Sequence, residues 1–291
     1  MFVQTNTVRA AKHYFRDRLS EQFTESELRS MFREALINRL QISTADYLLA
    51  DDLLLSESDL LYFRSIVKRL QQHEPFQYII GFTEFCGFQM ICDKRALIPR
   101  PETEELVQWI AEEHKTSSGL HVLDLCTGSG CIPIALEKLL KNPLVSAMEL
   151  SEEALKLAAE NISKHDSQVT LIKGDVLNAK VFMQFEVATF DVWVSNPPYV
   201  LASDAEQMHE NVLKYEPHMA LFVDDKDALL FYRKIAEIAL VYLKPGGKLY
   251  FEIHEQKGKE LVLLLKDLGF NRVELRADLQ GKDRMIRAVR G

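Results

Sequence analysis

Apolar positions change their spacing along the chain. Leu28, Met31, Phe32, Leu36, Ile37 and Leu40 recur at helical intervals, and so do Leu60, Phe63, Ile66, Val67 and Leu70. Thr24 with Glu27, and Ser56 with Asp59, have the spacing by which a hydroxyl and an acid cap a helix start reciprocally. Residues 1–74 contain neither Gly nor Pro. This pattern predicts a small helical bundle over residues 1–72. Glu74-Pro75 breaks it, and the stretch from Phe76 to Cys92 turns to aromatics and short alternation around Gly81 and Gly87. That predicts a β-hairpin within a linker, residues 73–95. In "LIPRPETEELVQWI" (97–110) the prolines set an extended entry. Thr103 is then expected to cap a helix carrying Leu106, Val107 and Ile110.

From residue 120 apolar runs of strand length alternate with helical patterns. Strands are predicted at 121–125, 144–149, 168–173, 190–195, 247–253, 271–275 and 284–289. Helices are predicted at 131–140, 151–163, 227–242 and 255–268. Such alternation predicts an α/β domain over 96–291, a seven-stranded, mainly parallel, Rossmann-like sheet covered on both faces. The closeness of the last two strands predicts one antiparallel member.

Net charge is −8 and the sequence pI is near 5.6, which argues against a protein that coats nucleic acid. Cys86, Cys92, Cys126 and Cys131 form no CxxC pair, so no metal site is expected. Neither a signal-peptide core nor an apolar run of membrane-spanning length is present, so a cytoplasmic protein without a membrane partner is expected.

Two loops carry candidate chemistry. "HVLDLCTGSGCIPIAL" (121–136) is a strand, a small-residue loop and a helix. Gly128 and Gly130 would let the backbone approach a ligand. The loop lacks the spacings of a dinucleotide site and of a phosphate loop. It is therefore either a plain turn or a site for a nucleoside without a phosphate cradle. Glu149 ends the next strand, where an acid can accept both ribose hydroxyls. Asp175 and Val176 follow the third strand, placed for an adenine amino group and an adenine face. This combination points to S-adenosylmethionine, whose amino-acid end the loop amides and Asp124 would hold.

The second loop is "VSNPPYV" (194–200), where a buried strand ends on Asn196-Pro197-Pro198-Tyr199. Asn196 and Pro197 both precede a proline and are driven to extended geometry. The Asn196 side-chain oxygen and the Pro197 carbonyl then form two fixed acceptors for a planar –NH2 group, with the Tyr199 ring available to stack on it. An amide and a nucleobase amine both fit such a pocket.

N-P-P-Y after such a loop resembles the amino-methyltransferases that act on adenine N6 or glutamine N5. "EPFQYIIGFTEFCGF" (74–88), "LIPRPETEELV", "DLCTGSGCI", "YEPHMAL" (215–221), "LKPGGKLYFEI" (243–253) and "DLQGKDR" (278–284) together resemble the HemK/PrmC family over residues 70–291. That family methylates a glutamine side chain of peptide chain release factors, converting S-adenosyl-L-methionine to S-adenosyl-L-homocysteine.

The resemblance implies that Cys126, Thr127, Gly128, Ser129 and Gly130 line the methionine and ribose, with Glu149 on the ribose. Asp175 and Val176 would lie by the adenine, and Asn196 would touch cofactor and substrate. Asn196, Pro197, Pro198 and Tyr199 would grip the glutamine amide. The segment from Pro99 to Glu104 would cover the site, and the helical domain would dock the protein substrate.

Three residues depart from the family pattern. Cys126 stands where Gly is usual, which speaks against a strained backbone there. Glu149 replaces the commoner Asp, and His254 stands where Gly is usual. The rival readings are an adenine-N6 DNA or RNA methyltransferase, which would need a basic groove, and a non-catalytic sensor of S-adenosylmethionine, which would have no use for Asn196 and Tyr199.

Overall fold

The computed structural model describes Val3 and residues 5–291, which fall into two compact units. In chain order the helical segment contains α1 (Val8–Leu19), α2 (Glu25–Leu40), α3 (Thr44–Leu48), α4 (Glu57–Leu70) and α5 (Phe76–Ile80). The hairpin β1 (Phe82–Phe85) and β2 (Phe88–Ile91) follows, then α6 (Pro101–His114), β3 (His121–Leu125), α7 (Cys131–Leu139) and β4 (Leu144–Glu149). Next come α8 (Glu152–Lys164), β5 (Thr170–Lys173), β6 (Phe190–Ser195), β7 (Val200–Leu201), α9 (Glu210–Tyr215) and α10 (His218–Leu221). The chain closes with β8 (Phe222–Val223), α11 (Leu230–Tyr242), β9 (Leu243–Glu252), α12 (Gly258–Asp267), β10 (Asn271–Ala277) and β11 (Asp283–Val289).

The first unit comprises the described residues up to Gly81 together with α9. Its core is built on Phe15, Phe32 and Phe63, with the Phe32 and Phe63 rings stacked at 4.9 Å. Both expected capping boxes form, and Ser43 with Asp46 adds a third. The α9 helix joins this unit through Tyr215, whose hydroxyl donates to the Gln72 carbonyl at 2.8 Å. Residues 76–80 are helical rather than part of the hairpin. Pro75 pre-sets the helix entry, and Gly81 ends it in the left-handed region at φ 85°.

The second unit is a seven-stranded sheet of order β10-β11-β9-β6-β3-β4-β5. Only β11 runs against its neighbours, the single reversed strand expected. Alternation along the strands divides the core between two faces. Leu123, Leu125, Trp193, Leu249 and Phe251 pack with α11 and α12. Val122, Val192, Val194 and Tyr250 pack with α6 and α7. The sheet reverses its winding between β3 and β6, the place where ligands of open α/β sheets bind.

Helix α6 starts earlier than the sequence pattern predicts. Pro101 occupies its first turn and Arg100 is the cap position, without a side-chain cap bond. Thr103 therefore lies inside the helix, with its hydroxyl free for another partner. Among the described residues no helix is long and apolar enough to cross a membrane.

Candidate active site

Both candidate loops leave adjacent strand ends. The Ser195 hydroxyl, fully buried, donates to the Leu125 carbonyl at 2.7 Å and ties those ends together. A cavity opens at this point. Cys126, Thr127, Gly128, Ser129, Glu149, Asp175, Val176 and Asn196 all line it, as does Pro198. Gly130, Pro197 and Tyr199 are not among its lining residues. Gly130 instead starts α7 at φ 81°, where a Cβ would stand 3.2 Å from that of Ala158.

The backbone at Cys126 corrects an expectation. Its φ is +62°, so the left-handed geometry is present although the residue is not glycine. The turn demands it, because Thr127 N–H must reach back to the Met148 carbonyl at 3.1 Å. Left-handed geometry costs an L-residue about 1–2 kcal/mol, which the packed strand ends on either side must offset.

Glu149 is held by backbone. One carboxylate oxygen accepts from Gly128 N–H at 2.9 Å, and the other accepts from Leu150 and Ser151 N–H, each at 2.9 Å. The extra methylene relative to Asp is thus used to reach across to the glycine loop.

Asp124 is fully buried on the α7 face of β3, and among the described residues neither of its oxygens makes a well-formed hydrogen bond, the Thr127 hydroxyl and the Leu125 N–H being near but not in bonding geometry. The Thr127 and Ser129 hydroxyls beside it are likewise buried without a partner. Burial pushes the Asp124 carboxyl up to about 8; the nearby Thr127 hydroxyl and Leu125 N–H pull against the rise, and the Glu149 charge adds to it. Thr127 and Ser129 line the cavity and Asp124 does not; buried polar groups are normally satisfied, so this cluster fits a polar, cationic ligand end such as an ammonium group.

The roof of the cavity is the segment from Arg95 to Arg100. It is clamped by Glu216, 3% exposed, which accepts from Ile98 N–H at 3.1 Å and from the Arg100 guanidinium at 2.5 Å.

A second buried acid, Glu252, 1% exposed, ends β9 on the α6 face. It accepts from the Thr103 hydroxyl at 2.5 Å and from the Tyr199 hydroxyl at 3.0 Å. The Asn196 amide donates to the same Thr103 oxygen at 3.2 Å. Burial raises the Glu252 carboxyl above its ordinary value, while the two hydroxyls and the Arg284 charge pull against that rise.

Glu216, Thr103 and Glu252 escape a sequence reading focused on loops. Only Glu252 carries a signal, an acid set at the edge of the apolar run "LYFEI". His254 sits edge-on to Tyr199 with ring centroids 6.2 Å apart, and its Nε2 lies 3.9 Å from Asp204 in the segment after the N-P-P-Y loop.

Known proteins resemble this chain in both of its units. Residues 10–81 match the PrmC N-terminal domain, and residues 102–218 match the methyltransferase small domain. The release factor glutamine methyltransferase of Flavobacterium psychrophilum is 44% identical, with 92% of this chain and 94% of that protein aligned. The chain belongs to the release factor glutamine methyltransferase family. Its Bacteroides thetaiotaomicron relative, of the same name, is 40% identical over 95% of this chain and 98% of that protein. Among solved structures, a methyltransferase from Pyrococcus furiosus superposes with a TM-score of 0.51 at 23% identity, covering 70% of this chain and 90% of that one. That likeness supports the sheet topology of the family rather than its substrate.

Proposed function

We propose that this chain transfers a methyl group from S-adenosylmethionine to the side-chain amide nitrogen of a glutamine in peptide chain release factors. The observation that carries the reading is the N-P-P-Y loop placed beside the glycine loop at the switch of the sheet, in a member of this family.

The cofactor supplies an electrophilic methyl on a sulfonium. The chain's own residues do the rest by binding and orientation. Asp124, with the Thr127 and Ser129 hydroxyls, would take the amino-acid end, because these are the buried polar groups without partners. Glu149 would take the ribose, and Asp175 with Val176 the adenine. On the substrate side, the Asn196 amide already donates to Thr103, which leaves its Oδ1 as an acceptor. Asn196 Oδ1 and the Pro197 carbonyl would hold the two hydrogens of the glutamine –NH2. Tyr199, with its hydroxyl anchored on Glu252, would bound the amide plane. An amide nitrogen is a poor nucleophile, so holding it in line with the methyl–sulfur bond contributes most of what these residues can offer. The nitrogen–carbon bond would form as the carbon–sulfur bond breaks, its electron pair staying on the sulfur of S-adenosylhomocysteine, and the nitrogen would lose one proton to water.

Choosing one glutamine on one protein needs binding remote from the reacting atoms. We assign that docking to the N-terminal helical domain, residues 1–72. The test is mass spectrometry of intact release factor after incubation with the protein and S-adenosylmethionine. One added methyl on one glutamine is expected. Methylation of DNA or RNA in parallel reactions, with none on the release factor, would replace this reading with the adenine-N6 one.

A further inference from the structure

The Asn196–Thr103–Glu252–Tyr199 chain has a direction. A hydroxyl carries one hydrogen, and the Thr103 hydrogen goes to Glu252 at 2.5 Å. The Thr103 oxygen can then only accept from its other neighbour, and that neighbour is the Asn196 side chain at 3.2 Å. The two ends of an asparagine amide are alike in shape, so the network around it decides which way it faces. Here it must present –NH2 to Thr103, and Oδ1 is turned the other way. The second Glu252 oxygen holds the Tyr199 hydroxyl at 3.0 Å. Strand alternation places Glu252 on the α6 face, opposite Thr103, and the Tyr232 hydroxyl pins its backbone carbonyl at 3.1 Å. Both polar side chains of the N-P-P-Y loop thus depend on one buried carboxylate.

We propose that Glu252 is a positioning residue that sets the polarity of Asn196. A carboxylate does this because it only accepts. A glutamine of the same shape must turn –NH2 toward one of its two partners. Turned to Thr103, it sends the Thr103 hydrogen toward Asn196 and reverses the asparagine, so that –NH2 meets the substrate amide. Turned to Tyr199, it makes that hydroxyl accept instead of donate, and the hydroxyl hydrogen must find another partner. This inference rests on the reading of Asn196 as the substrate acceptor.

The test uses the full-length protein, S-adenosylmethionine and intact release factor. Glu252→Gln should lower kcat by about tenfold or more, as a misplaced reacting group does, with cofactor Kd by calorimetry changed by no more than about threefold. Combined with Asn196→Ala, its loss should fall well short of multiplying, since the two variants share the Asn196 group and only the Tyr199 contact is separate. Wild-type kcat in Glu252→Gln, or losses that multiply in the double variant, would overturn the proposal. Should Glu252→Gln fail to fold, Thr103 decides. Thr103→Val should lose turnover by a similar factor, and Thr103→Ser should recover most of that loss. Full turnover in Thr103→Val would overturn the proposal equally. Normal turnover in Asn196→Ala would instead remove the acceptor reading itself, so the two failures are distinguishable.

Discussion

The Ser195 hydroxyl donates to the Leu125 carbonyl at 2.7 Å, with Ser195 fully buried. Those two residues are the last of β6 and β3, and the next residue of each strand begins a candidate loop. Their side-chain bond thus sets the spacing between the two candidate loops, the proposed cofactor loop and the proposed substrate loop. Ser195→Ala removes the bond while leaving no unpaired hydroxyl. Stability should fall by about 1 kcal/mol, the net worth of one hydrogen bond, read by thermal or denaturant unfolding. Turnover should fall further than cofactor affinity, because relative placement is what is lost. A large loss of cofactor affinity at unchanged stability would mean that Ser195 meets the ligand itself.

Asn196→Ala tests the acceptor directly. It takes one partner from the substrate –NH2 and also releases Thr103. Turnover is expected to fall by about 10²-fold or more, with cofactor Kd changed much less. Single-turnover kinetics at saturating cofactor would check this, and near-normal rates would remove Asn196 from the substrate site.

Much of this site is legible in the sequence. The strands β3, β4 and β6 start and stop where the apolar pattern says, so the loops at their ends are placed correctly from periodicity alone. The side chains that orient those loops are not legible in the same way. Thr103 reads as a helix cap, yet Pro101 starts the helix earlier and frees the hydroxyl for Glu252, a partner 149 residues away in the chain. No local pattern encodes a bond of that span. The left-handed backbone at Cys126 escapes for a different reason. Residue type argues against it, and the demand of the surrounding turn overrides that preference. Residues 76–80 show a similar override, where Pro75 and Gly81 bound one short helical turn inside an aromatic stretch that looks extended.

Glu149 has two separable jobs. It accepts three backbone N–H groups in the free protein, and it is proposed to accept ribose hydroxyls. Glu149→Ala should weaken cofactor Kd at least about tenfold, since hydrogen bonds to a charged group are worth roughly 1.5–3 kcal/mol each. It should also lower the stability of the cofactor-free protein by orphaning Gly128, Leu150 and Ser151 N–H. Glu149→Asp should keep the nearer bonds to Leu150 and Ser151 and lose the reach to Gly128. Its affinity should therefore lie between those of the parent and the Ala variant. Calorimetry for Kd and thermal unfolding of the free protein separate the two jobs. An unchanged Kd in Glu149→Ala would place the ribose elsewhere.

On the proposed reading, Asp124 links cofactor binding to pH. Burial raises its carboxyl in the free folded protein to about 8, from an ordinary value of 3.8. An acid raised on folding binds its proton more tightly in the folded state than in the unfolded one. Its stabilising effect is full below the unfolded value and is lost as pH rises through the folded value. The free protein should therefore lose stability from this residue between about pH 4 and pH 8, and Asp124→Asn should flatten that part of the profile. An ammonium group beside Asp124 reverses the preference, because an opposite charge favours the ionised carboxylate. Binding at pH 7 should then expel the proton that Asp124 holds in the free protein. Titrating S-adenosylmethionine into the protein in two buffers of different ionisation enthalpy reads that proton as a difference in apparent binding heat. The difference should be present in the parent protein and absent in Asp124→Asn. Equal heats in both buffers for the parent would show that the amino-acid end of the cofactor does not meet Asp124.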